Sequence, residues 1–169
     1  MSLLQHQKYL EKLEAERRAK NLIIKGLPED QPLKIDDITV NTDKEKCEMI
    51  FKRLNLQNVG IADTFRLGKE RPGEKARFLK VVLEEQSQRK DILAVAKNLK
   101  TDAIEEMKKI YIKKDVHPLI SKEFYRLKTV EEQEKAKPEN QGREVKYNAD
   151  VRTITVDGII IDSFRSQFF

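Results

Sequence analysis

Apolar residues recur along this chain with two different periods, and the alternation between them lays out an α+β protein. The first 20 residues place Leu3, Leu10 and Leu13 among Gln, Lys, Glu and Arg without Gly or Pro. Spacings of seven and three fit the seam of a coiled coil, here under three heptads long; a short solvated leader helix is the alternative. From residue 21 the run NLIIKGLPED predicts a strand closed by Pro28 and then a loop. Thr42 and Glu45 have capping-box spacing, so a helix is expected to start there, with Cys47, Ile50, Phe51 and Leu54 as its buried stripe. Residues 61–68 (IADTFRLG) read as a second strand, GKERPGEK as a basic loop, and residues 78–83 (FLKVVL) as a third strand. After Ser87 a second helix puts Ile92, Val95, Ala96 and Leu99 on one side, and residues 110–113 (IYIK) give a fourth strand. The order β-α-β-β-α-β folds into a four-stranded antiparallel sheet with both helices on one face and the other face open.

Beyond Pro118 a polar helix is expected, capped by Ser121 and carrying Phe124, Leu127 and Val130, followed by a break at 137–140. Strands at 144–147, 151–156 and 159–161 then surround the turn Asp157-Gly158, a strong hairpin signal. The predicted divisions are a leader helix at 1–20, a sheet domain at 21–117 and a small helix-plus-hairpin domain at 118–169. The last is too small to hold a large core, so it is expected to pack on the first domain or on a partner subunit.

Strand side chains alternate between faces, which splits each strand into a core row and an open row. Leu22 and Ile24 go inward and leave Ile23 and Lys25 outward; Leu79, Val81 and Leu83 go inward and leave Phe78, Lys80 and Val82 outward. In the fourth strand Ile110 and Ile112 go inward, leaving Tyr111 and Lys113 outward. Three strands thus offer a lysine beside an apolar or aromatic residue. Single-stranded nucleic acid needs that mixture: flat surfaces for bases and ammonium groups for phosphates. The net charge of +5 sharpens the picture because of where it lies, in Arg66, Lys69, Arg71, Lys75, Arg77 and Lys80. A basic cluster of this kind suits a polyanion; the alternative is a solvated basic face.

Several classes are excluded or disfavoured. At 169 residues the chain is too short for a barrel enzyme, and a single cysteine rules out a disulfide scaffold. No apolar run approaches the roughly 20 residues of a membrane span, so a soluble intracellular protein without a membrane partner is expected. The two histidines, His6 and His117, have no spaced partners for a metal set, and the six glycines form no phosphate loop. A noncatalytic protein without metal or cofactor is therefore the expectation.

The predicted sheet resembles the RNA-recognition motif. Its first strand, LIIKGL, has Ile23 where that family has an aromatic and Gly26 where it has Asn; the third keeps Phe78 but has Lys80 at the second aromatic site. The resemblance implies weaker base stacking and stronger phosphate contact, hence low sequence specificity and high salt sensitivity. RRAKNLIIKGLPED, TFRLGK, the basic loop before FLKVVL, and AKNL followed by IYIKKDVHP resemble the first-open-reading-frame protein of LINE-type retrotransposons. That resemblance implies a coiled coil, a divergent RNA-recognition domain and a small C-terminal domain. It also implies a homotrimer that coats RNA, acts as a nucleic-acid chaperone and forms ribonucleoprotein particles, in the cytoplasm or the nucleus. The family's basic segment before the first strand matches Arg17, Arg18 and Lys20, and its F-R-[LI]-G-K arginine matches Arg66, with Lys69. Arg143, Lys146 and Arg152 are the C-terminal candidates, with ordinary strand-surface charge as the alternative. The expected partner is single-stranded RNA or single-stranded DNA, together with further copies of the chain through the leader helix. A noncatalytic protein-interaction or oligomerisation module on the same fold is the competing function.

Overall fold

The computed structural model describes residues 2–73 and 75–165. It is an α+β structure with antiparallel sheets and two compact units. One unit is Glu16–Asp115; the other combines the residues up to Ala15 with those from Val116 onward. The expected leader is thus divided, its residues up to Ala15 grouped with the C-terminal segment and residues 16–20 with the sheet.

The elements run α1 (Leu3–Arg17), β1 (Asn21–Lys25), β2 (Leu33–Ile35), β3 (Ile38–Val40), α2 (Asp43–Arg53), β4 (Ile61–Arg66) and β5 (Leu79–Leu83). They continue with α3 (Gln86–Val95), a 3-10 segment (Ala96–Thr101), α4 (Glu105–Lys108), β6 (Tyr111–Lys114) and α5 (Pro118–Ala136). A 3-10 turn (Pro138–Asn140) then leads to β7 (Val145–Asn148), β8 (Thr153–Val156) and β9 (Ile159–Ser163).

In Glu16–Asp115 the sheet order is β4-β5-β1-β6, with every neighbouring pair antiparallel. The inward row is the expected one: Leu22, Ile24, Leu79, Val81, Leu83 and Ile112 are buried with Ile50 and Phe51 of α2 and Ile92 of α3. The capping box forms as the sequence predicts, Glu45 N–H donating to Thr42 Oγ1 at 3.2 Å and Thr42 N–H to Glu45 Oε2 at 3.2 Å. Cys47 lies in this core, and burial pushes its thiol up to about 12, so it stays protonated and inert. Gly26 closes β1 at φ +80°, and a Cβ there would collide with the Lys109 carbonyl oxygen.

Three local features differ from expectation. The region after Pro28 holds the hairpin β2–β3, whose Leu33 and Ile35 are buried, instead of a plain loop. The second helix ends at Val95 and continues as a 3-10 segment and the short α4, which still bury Leu99 and Met107. The helix expected to be capped by Ser121 starts four residues earlier, with Pro118 in its first turn and His117 as its cap; Leu119 N–H donates to His117 Nδ1 at 3.2 Å.

In the other unit β7, β8 and β9 form a meander in that order. Phe124 of α5 meets Tyr147 and Phe164 edge-on at 6.5 and 5.7 Å between centroids. Arg152 donates to Glu11 of α1, and its guanidinium sits 4.8 Å from the Phe164 centroid. Lys8 Nζ donates to the Asp150 carbonyl at 3.2 Å, so α1 is tied to this unit by charged contacts.

Arg66, expected as a phosphate contact, is turned into the fold. β4 carries a register shift between Ile61 and Asp63, which reverses the inward phase after Ile61. Thr64 and Arg66 then share the face of Val81 and Leu79, while Phe65 pairs with Lys80 on the opposite side. The Arg66 side chain is only 6% exposed. Its Nε and Nη2 donate to Asp43 at 3.0 and 2.6 Å, its Nη1 to the carbonyls of Leu27 and Arg77 at 2.9 and 2.8 Å, and its Nη2 to Pro28 O at 2.9 Å. All five guanidinium donors are used inside the fold, so Arg66 cannot serve as a phosphate contact without dismantling it. Lys46, likewise buried, adds bonds from Nζ to Pro28 O at 2.8 Å and Glu29 O at 3.4 Å. Arg66→Ala should lower stability by about 3 kcal/mol, the usual scale for orphaning one side of a buried ion pair. Urea unfolding measures it; a loss below about 1 kcal/mol would contradict the structural role.

Candidate nucleic-acid interface

Antiparallel pairing places opposed residues on the same face, so the register defines the surface away from the helices. Ile23 lies opposite both Lys80 and Lys113, Lys25 opposite Tyr111, and Phe65 opposite Lys80. Phe78 precedes β5 on the same side. This face gathers Ile23, Lys25, Phe65, Phe78, Lys80, Tyr111 and Lys113. Phe65, Phe78 and Tyr111 are 42%, 44% and 50% exposed, large values for rings standing on a sheet.

The lysines lie against the rings. Lys25 Nζ is 4.7 Å from the Phe78 centroid and 6.0 Å from that of Tyr111, and Lys80 Nζ is 5.1 Å from that of Phe65. Each contact is of cation–π type, worth roughly 0.5–1 kcal/mol at an exposed site. The ammonium groups are therefore held on the rings only weakly.

One end of the face is built around a carboxylate. Asp115 accepts from Arg18 Nη1 at 2.9 Å and from Asn21 Nδ2 at 3.0 Å, and Lys80 Nζ lies 3.7 Å away. Lys113 is held below its ordinary value, first by burial and then by the positive charge of Lys25, against a smaller opposing pull from Asp115. Two ammonium groups in one neighbourhood favour a shared anion.

The sequence-predicted residues divide accordingly. Lys25, Phe78, Lys80, Tyr111 and Lys113 come together on the face. Ile23 is on the same side but only 5% exposed, so it supports neighbouring side chains and offers no stacking platform. Lys69, Arg71 and Lys75 are exposed in the loop after β4, as are Arg17 and Lys20 before β1. Arg77 is engaged: its Nε donates to Glu29 Oε1 at 2.9 Å and its Nη1 to Gly68 O at 2.8 Å, which holds the Glu29 carboxyl below its usual range. Arg18 is bound to Asp115, as above. In the other unit Lys146 is exposed, Arg143 donates to Asp157 at 2.7 Å, and Arg152 is held by Glu11 and the Phe164 ring. The contribution missed from the sequence is Phe65. Its signal was the FR pair itself: once the arginine is placed inward, the adjacent phenylalanine must face out.

Among the described residues no three His, Cys, Asp or Glu are grouped to hold a metal ion, and no helix is long and apolar enough to cross a membrane. The chain matches no protein-family model and no curated protein sequence.

The lowered Lys113 value gives a pH signature. The unfolded chain binds the extra proton between the lowered value and the ordinary 10.5, so folding stability should rise as pH climbs through that interval. Lys113→Met should remove this component and raise stability on the acidic side of it. Urea unfolding of both proteins across the alkaline range provides the check; parallel pH profiles would mean that Lys113 is not strained.

Proposed function

We propose that the Glu16–Asp115 unit binds single-stranded RNA, or single-stranded DNA, on its open sheet face without catalysis. The observation that carries this reading is the set of three half-exposed rings, Phe65, Phe78 and Tyr111, interleaved with Lys25, Lys80 and Lys113 on one face. Rings give bases a sequence-tolerant surface, and lysines give phosphates a counter-charge. The antiparallel order β4-β5-β1-β6, with α2 and α3 on the far side, supports reading the unit as RNA-recognition-motif-like. With few groups placed to read base edges, affinity would come from stacking and charge and would depend on salt.

The resemblance to LINE-type first-open-reading-frame proteins extends this reading to a coat and chaperone within a ribonucleoprotein particle, self-associated through α1. The outward position of Leu3 and Leu13 on that helix supports the last element, since a seam needs apolar residues left available. The competing reading, a protein-interaction module, is favoured by β9, where Ile159, Ile160 and Ile161 are all exposed.

Fluorescence-anisotropy titration of labelled single-stranded RNA and of its duplex, at two salt concentrations, separates the two. The single strand should bind more tightly, with the three face lysines alone contributing a log–log salt slope of about −2. Phe65→Ala, Phe78→Ala and Tyr111→Ala should each weaken binding by about 1 to 3 kcal/mol. Absence of binding at low salt would favour the protein-interaction module.

A further inference from the structure

β6 is the terminal strand of its sheet, so consecutive residues on it lie on either side of an edge. Lys113 belongs to the ring-bearing face, whereas Lys114 pairs with Leu22 and is on the helix side. Beside Lys114, against the first turns of α3, is a groove of about 620 Å³ lined by Gln86, Ser87, Arg89, Lys90, Leu93 and Lys114. Its wall has three cations and no carboxylate, in a chain where acids are nearly as numerous as bases. The first turn of α3 also lacks an acidic residue, the nearest along the chain being Glu85 at its cap and Asp91 after Lys90. Arg89 is fixed in place by donating from Nη1 to the Arg18 carbonyl at 3.0 Å, which joins the groove to the basic segment before β1.

We propose that this groove is a second subsite for the same nucleic-acid strand, taking one nucleotide that has passed over the β6 edge from the stacking face. The inference rests on the open-face reading and extends it. A mononucleotide fits a space of this size. Leu93 and the lysine stems give its base an apolar bed, Gln86 and Ser87 offer hydrogen-bond partners, and Arg89, Lys90 and Lys114 meet the flanking phosphates. Lys113 and Lys114, adjacent in sequence but on opposite faces, would hold successive phosphates through the bend.

Oligonucleotide length provides the test. The full chain is titrated by anisotropy with single-stranded RNA of about six nucleotides, enough for the face alone, and of about twenty, enough to turn the edge. The double variant Lys90→Gln, Lys114→Gln removes two exposed charges that make no core contact, and a thermal melt checks its fold. It should bind the short strand like the wild type, bind the long strand about tenfold more weakly, and lose about 1.4 from the long-strand salt slope. Lys90→Arg, Lys114→Arg should restore both. Unchanged long-strand binding in the Gln variant, while Phe78→Ala still weakens short-strand binding, would overturn the groove and leave the face intact. If the wild type binds neither strand, the face reading fails and the groove with it.

Discussion

The Arg66 guanidinium is the point on which the sheet unit depends. It joins four stretches of chain: β4, the first turn of α2 through Asp43, the exit from β1 through the Leu27 and Pro28 carbonyls, and the approach to β5 through Arg77 O. No two of those stretches satisfy all five donors, so the bond set rewards only the assembled unit. A charge this deeply buried would be costly without complete pairing. Its more far-reaching effect is on phase: an arginine fixed inward at 66 fixes a phenylalanine outward at 65, because adjacent strand residues face opposite ways.

The ring-bearing face thus inherits its geometry from the interior. The irregularity between Ile61 and Asp63 lets β4 bury Ile61 at one end and Arg66 at the other, which an uninterrupted strand could not do with an odd separation. Phe65 then joins Phe78 and Tyr111 across the sheet. Lysines at alternating positions keep these rings covered by cations in the unbound chain, which limits exposed apolar area while leaving the surface exchangeable.

Much of this arrangement was legible in the sequence, and the exceptions have physical causes. β1, β5 and β6 alternate without interruption, so their inward and outward rows could be read directly. β4 could not be phased from its pattern, since the inserted residue is invisible to a period-two reading. Arg66 and Arg152 looked like surface cations because their carboxylate partners, Asp43 and Glu11, are distant in sequence. The β2–β3 hairpin escaped notice because three-residue strands are too short to show a period. The capping box of α2 was readable because both partners lie within four residues, while the cap on α5 came from a histidine, outside the usual set of capping residues.

The burial of Cys47 has a practical corollary. It is the chain's single cysteine, enclosed in the core and protonated well above neutral pH. Thiol-directed reagents act on accessible thiolates, so they will pass over it in the native protein. A cysteine introduced on any exposed position can therefore carry a fluorophore or spin label at a unique site in the otherwise natural sequence. Motions of the sheet face and of the loop after β4 can then be followed separately, without first replacing a core residue.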